Sequence, residues 1–123
     1  MSVANRFSIF YVEEMLSNCR LTSSRLIDYK MTEEAYRESI DLQDLLTMPL
    51  LRICELAARF ETDFKALIPD YDWDAMVKMR NQIAHPYGGF DFEFVWEAAI
   101  QDIPELTRLC EGILRTNGHL QNG

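Results

Sequence analysis

Apolar residues recur at spacings of three and four along almost the whole chain, which is the period of an α-helix and not of a strand. No convincing strand-type alternation of apolar and polar residues interrupts this pattern. The predicted helices span about residues 3–18, 32–38, 41–66, 73–84 and 91–114. The segments between them are short, so consecutive helices should run antiparallel. The sequence therefore predicts an all-α fold, an antiparallel bundle of four to five helices.

Polar residues and prolines set the expected ends of these helices. The predicted N-caps, whose short side chains accept bonds from the first helical turn, are Thr32, Asp41, Asp72 and Asp91. A polar break is expected over residues 22–24, after the first helix. Pro49 should kink the long third helix or begin a new one, and Pro104 should bend the last helix. Pro86 and the following Gly88-Gly89 should stop the fourth helix, since the residue before a proline avoids helical angles.

Length and composition bound the class of protein. The chain has 123 residues, 48% of them hydrophobic and 26% charged, as expected for one globular domain over residues 1–116 with a flexible tail over 117–123. No apolar run approaches the roughly 20 residues that span a bilayer, and no basic region leads into an apolar stretch at the start. We therefore expect no membrane association and no secretory signal.

The cysteines and the net charge narrow the chemistry further. Cys19, Cys54 and Cys110 are far apart and form no CxxC pair, so free, mostly buried thiols in a reducing cytoplasm are expected. No cluster of Asp, Glu and His has metal-ligand spacing, so neither a metal nor another cofactor is predicted. A net charge of −8 argues against tight nonspecific binding of nucleic acid.

The segment Arg-Asn-Gln-Ile-Ala-His-Pro-Tyr over residues 80–87 is the most informative motif. Of the two histidines, His119 lies in the polar tail, so His85 is the candidate for a group that titrates near neutral pH. Asn81, four residues earlier, could orient the imidazole while the helix lasts. The alternative interpretation of His85 is a surface histidine near a helix C-terminus, and that of Tyr87 is a packing tyrosine.

Arg80 occupies an unexpected position on the helical wheel. Trp73, Met76, Val77, Ile83 and Ala84 form one apolar face, and Arg80 falls in its middle. A charge on a core-facing stripe is costly unless it is paired or reaches an opening. Two interpretations follow: Arg80 reaches the edge or pairs with a buried carboxylate such as Glu55, or this face opens onto a cleft or a subunit interface where Arg80 meets an anion.

The motif and its surroundings resemble the HEPN superfamily, and more closely its HepT branch, also called DUF86. The pattern R-x4-H-x-Y is matched by Arg80, His85 and Tyr87. Flanking segments also match, and they are Ile-Pro-Asp-Tyr-Asp-Trp at 68–73, Met79, Phe-Asp at 90–91, Val-Trp at 95–96 and Asp-Ile-Pro-Glu-Leu at 102–106. The similarity covers roughly residues 52–114. Two departures are Cys-Glu-Leu at 54–56 in place of Gly-Glu-Ala, and Gly88-Gly89 in place of a bulky residue.

This resemblance implies a homodimer in which the two R-x4-H motifs face each other, and a metal-independent endoribonuclease that cleaves RNA rather than DNA. His85 would act as general base on a ribose 2′-hydroxyl or as general acid on the leaving oxygen. Arg80 would hold the phosphate and stabilise its developing charge. Asn81 would orient the histidine or the phosphate. The expected products are a 2′,3′-cyclic phosphate and a 5′-hydroxyl.

The resemblance also implies a regulatory partner. HepT proteins are toxins whose antitoxin, the nucleotidyltransferase MntA, transfers AMP to the motif tyrosine, which here is Tyr87. Negative charge and bulk added beside Arg80 would block RNA. An alternative is a non-catalytic helical subunit that binds substrate for a minimal nucleotidyltransferase. A third possibility is a structural bundle in which a salt bridge holds Arg80.

Overall fold

A computed structural model describes the backbone of residues 6–85 and 89–117, and the side chains of residues 9–83 and 91–117. The helices are α1 Arg6–Asp28, α2 Glu33–Arg37, α3 Ile40–Arg59, α4 Glu61–Leu67, α5 Trp73–Ile83, α6 Phe92–Glu97 and α7 Ile103–Thr116. A π-helical turn, Ala98–Asp102, joins α6 to α7. Two-residue strands β1 Ala84–His85 and β2 Gly89–Phe90 pair in antiparallel register. The predicted all-α bundle is confirmed, and this short ladder is an addition to it.

The first helix is longer than predicted, and the expected polar break at residues 22–24 is wrong. The Thr22 hydroxyl is buried and donates to the Asn18 carbonyl at 3.0 Å, while Ser24 donates to the Leu21 carbonyl at 3.3 Å. Because both hydroxyls bond back to the preceding turn, they are satisfied inside the helix. The helix ends instead at Asp28, followed by Lys30 in a left-handed conformation with φ 49°.

Three of the four predicted N-caps are confirmed. The side chains of Thr32, Asp72 and Asp91 accept from the backbone N–H three residues later, at 3.0–3.1 Å. The prediction for Asp41 is wrong, because Ser39 caps α3 by accepting from the Leu42 N–H at 3.1 Å. Asp41 lies instead in the first turn, where its charge suits the positive helix end.

Pro49 and Pro104 both lie within helical segments. Helix α3 continues through Pro49, so no new helix begins there, and it ends at Arg59, where Phe60 separates it from α4. Pro49 has no N–H to offer the carbonyl of Leu45, and the guanidinium of Arg25 on α1 donates to that carbonyl instead, at 2.6 Å. Pro104 lies in the first turn of α7, directly after the π-helical turn, so the irregular geometry falls on the turn that would otherwise accept its missing N–H.

Helix α3 is central and packs against α1 on one side and α5 on the other, while α7 packs along α1. Buried aromatic rings fix the ends of this arrangement. The Trp73 indole donates to the Ile68 carbonyl at 2.8 Å and stacks on Phe64 with ring centroids 4.9 Å apart. The Tyr36 hydroxyl donates to the Phe92 carbonyl at 2.6 Å and so ties α2 to α6. Among the described helices, none is long and apolar enough to cross a membrane.

The three cysteines are free and buried, as expected. Burial raises the pKa of Cys19 and that of Cys54 to about 12, and raises the pKa of Cys110 as well. Since the thiolate is the reactive form, these thiols are packing groups rather than nucleophiles. Within the described residues, no group of three His, Cys, Asp or Glu side chains could hold a metal ion.

Candidate active site

Helix α5 carries Arg80 and Asn81, and the side of this helix that is buried decides which way these side chains point. The fully or nearly buried residues of this helix are Trp73, Met76, Met79 and Ile83. Val77 is only half-buried, so the buried stripe is displaced toward Met79 relative to the predicted face. Arg80 therefore lies at the flank of the buried stripe and not in its middle, where the helical wheel placed it. Its side chain is 57% exposed.

Of the two interpretations of Arg80, the one in which it pairs with Glu55 is confirmed. Arg80 Nε lies 2.7 Å from Glu55 Oε1 on α3, and the Glu55 side chain is 55% exposed. Glu55 is thus not the buried carboxylate that the sequence suggested, and no desolvated charge has to be compensated. A half-exposed pair of this kind stabilises a fold by about 0–1 kcal/mol. The guanidinium is therefore held in place but remains open to solvent and to other anions.

The chain leaves the helix just before His85. Helix α5 ends at Ile83, His85 lies in β1 opposite Gly89 in β2, and the Asp91 N–H donates to the Ile83 carbonyl at 2.8 Å. The expected departure from helical geometry before Pro86 is confirmed. The backbone of His85 is fixed by this ladder, whereas its side chain lies outside the described part of the structure.

The remaining motif residues are placed as follows. Asn81 is exposed on the last turn of α5, one residue beyond Arg80. Tyr87 lies outside the described residues, within the connection from β1 to β2. The structure thus places Arg80, Asn81 and the backbone of His85 at one end of α5, at the edge of the molecule rather than in its core.

The surface of α3 beside Arg80 was not singled out from the sequence. Exposed positions at intervals of three or four residues form a stripe along it, and they include Asp41, Asp44, Met48, Arg52, Glu55 and Arg59. A groove of about 380 Å³ runs between this stripe and α1. Its walls are Glu14, Asn18, Met48, Leu51, Arg52, Glu55, Leu56 and Arg59. Glu55 belongs both to the groove and to the Arg80 pair, so the groove adjoins the motif. The helical spacing of Arg52 and Arg59 was the sequence signal for it.

Comparison with known proteins agrees with this motif. The profile of the family described as "Ribonuclease HepT-like" matches residues 15–113, which is most of the chain. The chain belongs to this family. It is 37% identical over 54 residues to "Probable ribonuclease HepT" of Thermococcus cleftensis, a match covering 44% of this chain and 49% of that protein, so it spans about half of that relative.

Longer but more distant matches point the same way. A protein named "Putative RNase" from Caldanaerobacter subterraneus subsp. tengcongensis is 23% identical over 114 residues, covering 85% of this chain and 92% of that protein. Another "Putative RNase", from Methanocaldococcus jannaschii, is 25% identical over 85 residues, covering 62% of this chain and 78% of that protein. No solved structure matches the chain. The resemblance read from the motif is confirmed at the level of the family.

Proposed function

We propose that this chain is a metal-independent endoribonuclease whose catalytic residues are Arg80, Asn81 and His85. His85 takes the proton of a ribose 2′-hydroxyl or gives one to the leaving 5′-oxygen. The new bond joins the 2′-oxygen to phosphorus, and the bond to the 5′-oxygen breaks. This yields a 2′,3′-cyclic phosphate and a 5′-hydroxyl, with no external oxidant or co-reactant.

The observation that carries this proposal is the exposed guanidinium of Arg80, held by Glu55 at 2.7 Å at the end of α5 where the chain turns into the strand of His85. Arginine keeps its charge at any physiological pH and can offer two donors to one phosphate. A cation beside a residue that moves protons is the minimum that phosphoryl transfer to a 2′-hydroxyl needs.

We further propose that two copies of the chain assemble the site, with their motifs facing each other. The support is that Arg80, Asn81 and Glu55 are all exposed at one face, so a second copy can approach them without unfolding anything. Two arginines in one cleft would also concentrate positive potential in a protein whose net charge is −8. Sedimentation at micromolar concentration tests this, and a monomer in solution contradicts it.

Nucleotidyl transfer to Tyr87 by an MntA-like antitoxin is the proposed control of the toxin. Tyr87 follows His85 by two residues, so AMP attached to it would bring phosphate charge close to Arg80. Intact-mass measurement of the chain with the transferase and ATP should show a mass increase equal to one AMP. Tyr87→Phe should remove that addition, and an unchanged mass of the native chain would refute this form of control.

The decisive experiment separates a nuclease from a non-catalytic partner subunit of a nucleotidyltransferase. Expression of the chain alone should arrest growth, and the purified protein should cut RNA in the presence of a chelator. His85→Ala should abolish both effects with an unchanged circular dichroism spectrum. Harmless expression together with intact RNA would favour the alternative, in which Arg80 and His85 only recognise a nucleotide.

A further inference from the structure

The exposed stripe of α3 carries two arginines, Arg52 and Arg59. None of the ion pairs among the described residues engages Arg52 or Arg59, whereas each described pair joins two helices or two successive turns of one helix. Both side chains are exposed, and both line the groove between α1 and α3. The guanidinium of Arg59 also lies over the ring of Phe60, with its central carbon 5.8 Å from the ring centroid.

The spacing of these two arginines places them on either side of the Glu55–Arg80 pair. Arg52, Glu55 and Arg59 follow one another at intervals of three and four residues, so they share one face of the helix. Seven residues at about 1.5 Å rise each separate the two arginines by about 10 Å along the axis. A chain of phosphates that meets Arg80 in the middle would therefore meet Arg52 on one side and Arg59 on the other.

The floor of the groove suits the bases of such a ligand. Met48, Leu51 and Leu56 give it apolar side chains, against which the faces of unpaired bases can pack. Asp41 and Asp44 continue the same stripe beyond Met48, and their charges repel phosphate. These two charges therefore confine phosphate binding to the part of α3 that adjoins Arg80.

We propose that Arg52 and Arg59, with the apolar floor between α1 and α3, form a binding track for single-stranded RNA that leads through the Arg80 site. This proposal rests on the ribonuclease function proposed above and adds how the strand is held. The carboxylate of Glu55 acts as a competing anion on Arg80, and a phosphate of the bound strand displaces it. Sequence-tolerant binding with strong salt dependence is the expected behaviour of such a track.

The test is a titration of the His85→Ala chain, which leaves RNA uncut, with a short, unstructured, fluorescently labelled RNA at several salt concentrations. Arg52→Ala and Arg59→Ala should each weaken binding about tenfold, as expected for loss of one charged hydrogen bond. Each should also reduce the slope of log affinity against log salt by about 0.7, the value for one phosphate contact on a single strand. Arg52→Lys and Arg59→Lys should keep most of that slope.

The matched control is Arg115→Ala, which removes the same charge from an exposed position on α7, away from the groove. It should leave affinity and slope nearly unchanged, whereas Glu55→Gln should tighten binding by removing the competing anion. Equal effects of Arg115→Ala and the two groove variants would overturn the track, as would a parent chain that binds no RNA. Weaker binding by Glu55→Gln would overturn the proposed displacement.

Cleavage assays in the native background keep the two proposals apart. If the native chain cuts RNA, and the Arg52→Ala and Arg59→Ala chains bind and cut as it does, the track is refuted while the ribonuclease stands. If the native chain does not cut RNA but the two arginines govern affinity and salt slope, the track stands and the ribonuclease is refuted.

Discussion

The two faces of helix α3 have opposite roles, although they alternate along the same 20 residues. One face is closed: Leu46, Leu50, Ile53, Cys54 and Ala57 are at most 1% exposed and form the centre of the core. The other is open: Arg52, Glu55 and Arg59 are exposed, and Met48 is 47% exposed. Stability should therefore depend on the closed face and function on the open one. Substitutions that separate the two properties test this division.

The largest effect on stability is expected from Ile53→Ala. Ile53 is fully buried, and removing its side chain loses hydrophobic transfer energy and leaves a cavity, at a cost of about 2–5 kcal/mol. Urea unfolding followed by circular dichroism measures this loss, with Ala58→Gly on the exposed side of the same helix as the control for helix propensity. A loss at Ile53 no greater than about 1 kcal/mol, the propensity cost expected at the control site, would contradict the assignment of a closed face.

The next largest loss in the free energy of unfolding is expected at alkaline pH, from a thiol on the closed face. The pKa of the Cys54 thiol is raised by burial from 9.0 to about 12, so folding favours its neutral form. That stability is fully present below pH 9 and is lost as pH rises from about 9 toward 12, because only the unfolded chain releases the proton. The slope is about 1.4 kcal/mol per pH unit for each such thiol.

Cys54→Ala isolates this contribution from other groups that titrate in alkali. Its unfolding free energy should start lower at pH 8 but decline less steeply above pH 9 than that of the native chain, both kept reduced. Parallel declines for the two chains would show that the Cys54 thiol is not protected in the fold.

A smaller loss of stability is expected at the carbonyl of Leu45, which lies where the two faces of α3 meet. Arg25→Ala removes its donor at 2.6 Å, and because Pro49 supplies no N–H, we expect a loss of about 1 kcal/mol. Pro49→Ala restores an N–H to the helix, so the same Arg25→Ala substitution should cost much less in that background. A double-mutant cycle of thermal unfolding measures the difference. Equal costs in both backgrounds would mean that Arg25 does not compensate for the proline.

The sequence predicted the fold class and three helix caps, since these depend on local periodicity and on short polar side chains at helix starts. It offered the Arg80–Glu55 pair only as one of two interpretations of a charge near an apolar stripe. It left open whether the helix continues through Pro49 or begins there, because the compensating donor is Arg25, which is distant in sequence. The same limit applies to the polar break expected at Thr22. A hydroxyl that bonds to its own helix looks identical in sequence to one that ends the helix.

The error on Arg80 has a different origin. A helical wheel shows which residues share a face, but the neighbouring helix decides which part of the face is buried. Helix α5 packs against α3 with Met79 inside and Val77 half-exposed, which moves Arg80 to the flank. Of the two interpretations of Arg80, the pair with Glu55 is the one that the structure shows, while the subunit interface stays a prediction. The tertiary groove along α3 depends on the separation of α1 and α3, which periodicity alone does not contain.

The smallest stability effect is expected from the pair on the open face. Arg80→Ala and Glu55→Ala should each change the unfolding free energy by less than about 1 kcal/mol, and their coupling in a double-mutant cycle should be about 0.5 kcal/mol, because both side chains are more than half exposed. Arg80→Ala should nevertheless remove RNA cleavage under the proposed function. A coupling of several kcal/mol would instead identify the pair as a structural bridge. Weak coupling of this size together with lost activity is the result that a site on the open face requires, since a residue that the fold hardly needs is available to a ligand.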